Sequence, residues 1–432
     1  MVLIYDILIR LFVLGIHIAA LFSPKARLWV EGRRHWRKRL KSEFNFEHGP
    51  DISQRSKVLW VHAASLGEFE QGRPVIEAFR EKYPAWKIVL TFFSPSGYVL
   101  RKDYPHADLV CYLPADTRTN AIDFLDLIKP DVAIFIKYEF WANYLFELKK
   151  RGTTTLLVSA LFRPSQPFFK WYGGFWRKMM ACFTHIFVQN PISATLLGKI
   201  GLGMDSGKLT VAGDTRVDRV LKIAAAAQPN QIVQAFVQED SNTVLVIGSS
   251  WEHDEAVIFD TLSAANHSNL LPNRPTLIIA PHEPSEENVL RICRQAGNAV
   301  RYSRFFEVSP QKNTSLVIDN IGLLNTLYRY GTIAYIGGGF GKSIHNALEP
   351  AAFGLPVIFG PKYEKFEEAR QFVARGGAFP VRNAEELAAI LGKLQDPVFY
   401  KKASDAVLGY LEESRGATEK VMAFLEDKFG QC

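Results

Sequence analysis

Cysteine is scarce in this 432-residue chain: Cys111, Cys182, Cys293 and Cys432 are the only four, with no CxxC pair and no cysteine–histidine cluster at zinc spacing. That argues against a disulfide framework or a structural metal site, and it points to a reducing compartment. Also missing are a DxD pattern, which would seat a metal on a nucleotide diphosphate, a GxSxG elbow, a P-loop and an HExxH pair. No short-period repeat or low-complexity tract is present. What remains is 48% hydrophobic and 22% charged, too apolar to be disordered and long enough for two globular domains.

The net charge of +7 would suit a nucleic-acid partner if it were spread over a surface, but residues 25–41 hold eight Lys and Arg against Glu31 alone. That stretch accounts for the whole excess, so no basic groove for nucleic acid is left over. It follows an apolar N-terminus, MVLIYDILIRLFVLGIHIAALF, as long as a bilayer span but interrupted by Asp6, Arg10 and His17. No small-residue cleavage site follows, which argues for a retained anchor rather than a signal peptide. Lysine and arginine beside such a segment stay on the cytoplasmic side and attract anionic lipid, so the rest of the chain is expected at the cytoplasmic face of the inner membrane.

Downstream, short β-branched and aromatic runs alternate with amphipathic helical stretches, the pattern of parallel sheets covered by helices. KVLWVHAAS, KIVLTFFS, LVCYLP, DVAIFI, TTLLVSA and HIFVQN are the predicted strands of one α/β domain; TVLVIGSS, TLIIAPHEP, LVIDN, TIAYIGGGF and PVIFGP are those of a second. A stretch with no strand signal from about Lys222 to Asn242 is the expected boundary. Helical sequence over about Asp396–Phe429 is free to cross back to the first domain. Residues 168–183, FFKWYGGFWRKMMACF, read either as a core-packing helix or as an aromatic and basic surface for lipid, with Gly173 and Gly174 weakening the helix in both cases.

Strand ends in such folds carry the chemistry. Glu68 follows the strand VLWVHAA at the edge expected to face the interdomain cleft, where a general base would sit with its pKa raised by desolvation. Its structural alternative is pairing with the start of its own helix; Glu70 points elsewhere on that helix. Glu139, in KYEFWAN beyond another strand, would assist the base or order the acceptor, or else pair with Lys137. Arg216 could grip a sugar carboxylate bidentately, or form an ordinary ion pair. In the second domain Gly337, Gly338 and Gly339 let backbone N–H groups approach a phosphate. A predicted helix start near Asn346 adds a positive dipole end, and Glu349 offers a carboxylate for ribose hydroxyls. Ser249, Ser250 and Glu252 after one strand, and Pro281 and His282 after another, should converge on the same pocket if the strand order is the usual one.

The conjunction of ASLGE, YEFWAN, GSSWE and GGGF…HNALEPAAFGLPVIFGP resembles the bacterial 3-deoxy-D-manno-octulosonic acid (Kdo) transferases of lipopolysaccharide synthesis, over nearly the whole chain. Its most specific part is the last, with Asn346, Glu349, Pro350, Gly354, Pro356 and Gly360 at the family's positions. The resemblance implies an α/β GT-B glycosyltransferase of two facing Rossmann-like domains with an N-terminal anchor helix. It would move Kdo from CMP-Kdo to a lipid A precursor, lipid IVA, with inversion and without a metal or other cofactor. The catalytic base then falls on Glu68 and the nucleotide site around His282, Gly338, Gly339, Asn346 and Glu349. The implied organisation is an anchor over 1–24, a basic juxtamembrane segment over 25–44, an acceptor domain over 45–220, a linker over 221–242 and a nucleotide-sugar domain over 243–432.

Two departures stand out. Lys137 occupies a position where the family often has a first glutamate, and no arginine separates Pro281 from His282. The alternatives are a GT-B enzyme using a UDP-sugar, an NAD-dependent oxidoreductase, against which no GxGxxG opens either βα series, and a membrane scaffold, which leaves the polar strand ends unexplained.

Overall fold

The computed structural model describes residues 1–43, 55–237, 243–265, 274–307 and 315–430; the expected start of the first domain at 45, the last five linker residues and Cys432 lie outside these. The chain divides into two units, Met1–Asp218 with Ser414–Cys432, and Arg219–Glu413.

The first unit holds seven parallel strands: β1 (Val58–Ala63), β2 (Lys87–Phe92), β3 (Leu109–Tyr112), β4 (Val132–Ile136), β5 (Thr154–Ala160), β6 (His185–Val188) and β7 (Leu209–Val211), in the order β3-β2-β1-β4-β5-β6-β7. β1 and β4 are buried along their whole length, as strands covered by helices on both faces must be. Alternate β1 residues feed two cores: Val58 and Trp60 pack with Phe124, Leu125 and Tyr144, while Leu59 and Val61 pack with Phe69, Val75 and Ile76. Because β2 and β4 lie on opposite sides of β1, the chain direction reverses there, and β1 and β4 bound the switch point at which such sheets bind ligands.

The terminal helical sequence does return. The helix Ala417–Phe429 buries Ala417, Val421 and Leu425 in the core behind β1, and Phe429 packs edge-on against Trp86 at 5.5 Å. Asp218 fixes its start, accepting the Gly416 and Thr418 N–H groups at 2.6 and 2.7 Å.

The second unit repeats the plan with β8 (Val244–Ser250), β9 (Thr276–Pro281), β10 (Ala299–Arg301), β11 (Ser315–Val317), β12 (Ile333–Ile336), β13 (Val357–Phe359) and β14 (Ala378–Pro380), all parallel, ordered β10-β11-β9-β8-β12-β13-β14. Its switch point lies between β8 and β12.

Three sequence expectations need correction. The stretch from Lys222 is not an open linker: helices Thr215–Ala226 and Gln231–Phe236 occupy much of it, because its alanines favour helix and Asn230 caps the second one. Residues 168–183 do not form one helix. A 3-10 turn (Pro167–Phe169) and a short helix (Gly174–Met180) are separated at Gly173, where a Cβ would lie 2.2 Å from the Pro167 carbonyl oxygen. Phe168, Phe175, Met179 and Met180 then enter the core, as the packing reading expects, while Trp171 is 92% exposed.

The basic segment is likewise not wholly solvated. It folds as α2 (Pro24–Gly32) and α3 (Trp36–Glu43) after α1 (Val2–Ala19). Arg33 bridges the Leu113 and Phe93 carbonyls at 2.8 Å each, with its guanidinium 3.8 Å from the Trp29 ring centre. α1 is long and apolar enough to cross a membrane, and none of its residues is buried. The charges that interrupt it have local uses: Asp6 pairs with Arg10 at 2.9 Å and accepts the Arg118 N–H at 3.2 Å. Tyr5 donates to Asp116 at 2.7 Å, and Phe12 stacks on Phe93.

Candidate active site

Glu68 lies two residues into α4 (Leu66–Lys82), the helix that leaves the carboxyl end of β1. Gly72 lets α4 sit close on the sheet, since a Cβ there would be 3.0 Å from the Ile136 side chain. One carboxylate oxygen, Oε2, accepts from the Ser65 N–H at 3.0 Å and the Ser65 hydroxyl at 3.2 Å. The helix-start pairing is therefore real, and it engages a single oxygen. Burial, then the negative charge of Glu139, pushes the Glu68 carboxyl up to about 7, against the opposing pull of Ser65 and Lys137. Glu70 points away and pairs with Arg101 at 3.0 Å.

Glu139 lies beyond β4 and is 7% exposed. What holds it is Trp141 of the same KYEFWAN segment and a histidine to which the sequence reading gave no part: the Trp141 indole N–H donates to its Oε2 at 2.7 Å, and His62 Nε2 lies 3.0 Å from the same oxygen. His62 occupies β1 opposite Phe135 of β4, wholly buried, with Nδ1 2.9 Å from the Thr91 hydroxyl. Arg216 spends Nε and Nη2 on Asp214, at 3.1 and 2.6 Å, which realises the ion-pair alternative.

In the second unit the glycine turn follows β12. Its backbone is less open to an anion than expected: the Gly337 N–H donates to the Gly248 carbonyl and the Gly338 N–H to Asp254, both at 2.9 Å. Asp254, 1% exposed, also accepts from the Trp251 N–H and the Tyr335 hydroxyl, at 3.0 and 3.1 Å, and so ties the ends of β8 and β12 together. Gly337 is required because a Cβ would lie 2.2 Å from the Ser249 carbonyl oxygen. Gly337→Ala should accordingly force the two strand ends apart and cut nucleotide affinity at least ~10-fold, by about 1.4 kcal/mol, while the first unit stays folded; calorimetric titration with CMP checks this.

His282 stacks on both Trp251 and His345, with centroids 4.5 and 4.4 Å away, and the Trp251 indole N–H donates to His345 Nε2 at 3.1 Å. Burial, then the neighbouring His282, holds His345 down at about 4. This ring stack was legible only in part, since Trp251 and His345 stood inside quoted motifs without a role. Asn346 donates to Glu349 at 3.0 Å and accepts the Leu348 N–H at 3.1 Å. The helix expected at Asn346 starts at Leu348 and runs only to Ala351, because Gly354 at φ +74° turns the chain; so short a helix offers little dipole. Ser250 is turned inward, its hydroxyl donating to Glu255 at 2.7 Å, and is removed from the candidate ligands. Ser249, the last but one residue of β8, sits at φ +54°, Glu252 is exposed at the start of the next helix, and Pro281 ends β9.

Two doubly flanked parallel sheets, each with polar groups at its switch point, define a GT-B-like glycosyltransferase architecture. Among solved structures the chain is similar to UDP-GlcNAc 2-epimerase from Neisseria meningitidis bound to UDP-GlcNAc (TM-score 0.56, 19% identity, 86% of this chain and 100% of that one). It is also similar to a glycosyltransferase from Rickettsia africae (TM-score 0.52, 14% identity, 86% and 98%). Residues 34–219 match the family model described as 3-deoxy-D-manno-octulosonic-acid transferase (kdotransferase). The 3-deoxy-D-manno-octulosonic acid transferase of Haemophilus influenzae is 24% identical over 402 residues, covering 90% of this chain and 91% of that protein. That of Bordetella pertussis is 25% identical over 385 residues, covering 86% and 87%. The chain is thus similar to the Kdo transferases over most of its length.

Proposed function

We propose that this glycosyltransferase moves Kdo from CMP-Kdo to a lipid A precursor in lipopolysaccharide synthesis, with Glu68 as the base. The observation that carries the chemistry is Glu68 itself: a carboxylate at the end of β1, half-buried, poised near neutrality and with only one oxygen tied to Ser65. Glu68 takes the proton of the acceptor sugar hydroxyl. That oxygen bonds to the anomeric carbon of Kdo as its bond to the CMP phosphate oxygen breaks, and configuration inverts. The second unit supplies the donor site, with the Trp251–His282–His345 stack presenting flat ring surface to the nucleotide and Asn346 orienting Glu349 for the ribose.

The acceptor is a lipid, and α1 suits its delivery. Its first turn is bonded to Asp116 and Arg118 of the globular unit, and α2 and α3, which follow it, pack on that unit as well through Arg33 and Arg37. A helix tied down near its start and followed by docked helices lies in the interface rather than crossing the bilayer, and Ile4, Leu8, Leu11 and Ile18 are exposed along it. Beside it a recess of about 590 Å³ is lined by His17, Trp29, Arg34, His35 and Lys38, a cationic surface for anionic lipid on the cytoplasmic face.

The pH dependence tests the base. Glu68 works only when ionised, so kcat/KM for the acceptor should rise tenfold per pH unit below about 7 and level off above it. A flat profile from pH 5 to 8 would exclude a carboxyl titrating near 7 as the base. The UDP-sugar alternative predicts tighter binding of UDP than of CMP.

A further inference from the structure

The β1 histidine has no part in the chemistry above, yet it is the most completely buried titratable group beside the site. His62 is fully enclosed on β1, its Nδ1 2.9 Å from the Thr91 hydroxyl and its Nε2 3.0 Å from Glu139 Oε2. Thr91 is itself fixed, accepting the Trp60 indole N–H at 2.8 Å, so the imidazole cannot rotate without breaking a buried chain of bonds. Trp141 joins the grip on the same Glu139 oxygen, its indole nitrogen 3.1 Å from His62 Nε2. Fixed backbone partners usually hold a structural carboxylate; here side chains hold the Glu139 carboxylate, and its charge acts on Glu68.

We propose that His62 is a positioning residue for the transfer reaction: its imidazole, with the Trp141 indole N–H, holds the Glu139 carboxylate past the end of β4, the strand paired with the β1 strand that leads into Glu68. This rests on the reading of Glu68 as the base. Nε2 lies 3.0 Å from Glu139 Oε2 and 3.1 Å from the Trp141 indole nitrogen, and Nδ1 is within reach of both the Thr91 hydroxyl, at 2.9 Å, and the Thr91 carbonyl oxygen, at 3.2 Å, so every edge of the ring is engaged. The groups facing Glu68 are Glu139 and Lys137 from the segment after β4 and Ser65 from its own helix start; those facing Glu139 are His62, Trp141 and Glu68. Lys137 also faces Asp214, which Arg216 holds. With His62 removed, Glu139 loses one of its two side-chain partners and turns away, and its repulsion of the Glu68 charge falls.

The test is a double-mutant cycle on the full-length enzyme, reading the pH profile of kcat/KM for His62→Asn, Glu139→Gln and the pair. Each single change should move the acidic limb down by about one pH unit and lower the plateau about tenfold, and the pair should do no more than either alone. A limb that stays at the wild-type pH in His62→Asn, or effects that add in the pair, would overturn the proposal. Should His62→Asn fold poorly, Trp141→Phe removes the other donor and must shift the limb the same way. Full transfer by Glu68→Gln would instead sink the base assignment itself, an outcome separate from any result for His62.

Discussion

Glu68→Gln should lower kcat for Kdo transfer about 10³-fold, within the range of a lost general base, while leaving CMP binding intact. The amide matches the carboxylate in shape and its oxygen still accepts from the Ser65 N–H and hydroxyl, so the start of α4 keeps its cap. The stability consequence has the opposite sign. The folded-state pKa of Glu68 is raised, so its favourable contribution is complete below the unfolded value and is lost as pH rises through about 7. Glu68→Gln removes that loss, and the variant should gain stability relative to wild type between pH 5 and 8 as activity disappears. Urea unfolding at the two pH values, beside the transfer assay, checks both halves; a variant that loses activity by unfolding would show the reverse stability trend.

The second large effect concerns Asp116. It is 1% exposed and accepts from the Tyr5 hydroxyl at 2.7 Å and from the Asn143 and Tyr144 N–H groups at 3.1 Å each. It therefore caps the helix Ala142–Lys150 from a distance and pins α1 to it. Asp116→Ala strands three buried donors and should cost about 3–5 kcal/mol, with activity falling as Trp141 and Glu139 loosen at the start of that helix. Asp116→Asn keeps one of the two accepting oxygens, enough for Tyr5 and Asn143 but not for Tyr144, and should cost less than Ala. Burial raises the Asp116 carboxyl to about 6, so its favourable contribution is lost as pH rises through that value, and Asn should compare best with wild type above pH 6. Denaturation followed by tryptophan fluorescence would show this, and equal losses for Ala and Asn would contradict the capping account.

These sites differ in how far the sequence reveals them. Glu68 is legible because VLWVHAA is an unbroken buried run, and the first carboxylate after such a strand lands at the sheet's ligand-binding edge. The glycine turn is legible for the same reason, although its purpose is close contact of Gly337 with Ser249 as much as access for a phosphate. His62 is hidden: a histidine inside an apolar strand has no periodic signature, and its partner lies 77 residues away on a strand that becomes a neighbour only through the crossover. Asp254 is hidden likewise, as one of several acids in a helix start. Among strands, β7, β10 and β14 escape because three-residue edges carry too few apolar positions to stand out. The Asn346 helix misleads because HNALEPAAFG has good helix formers, and only Gly354 reveals how soon the chain must turn.

The most direct test of the central claim is a transfer assay with the purified wild-type enzyme, offering CMP-Kdo generated in situ and, separately, UDP-sugars, to a tetraacylated lipid A precursor, with the product read by mass. The account predicts a product heavier by one or more Kdo units from CMP-Kdo and none from the UDP-sugars. Transfer from a UDP-sugar, or no transfer from CMP-Kdo by a folded enzyme, would contradict it.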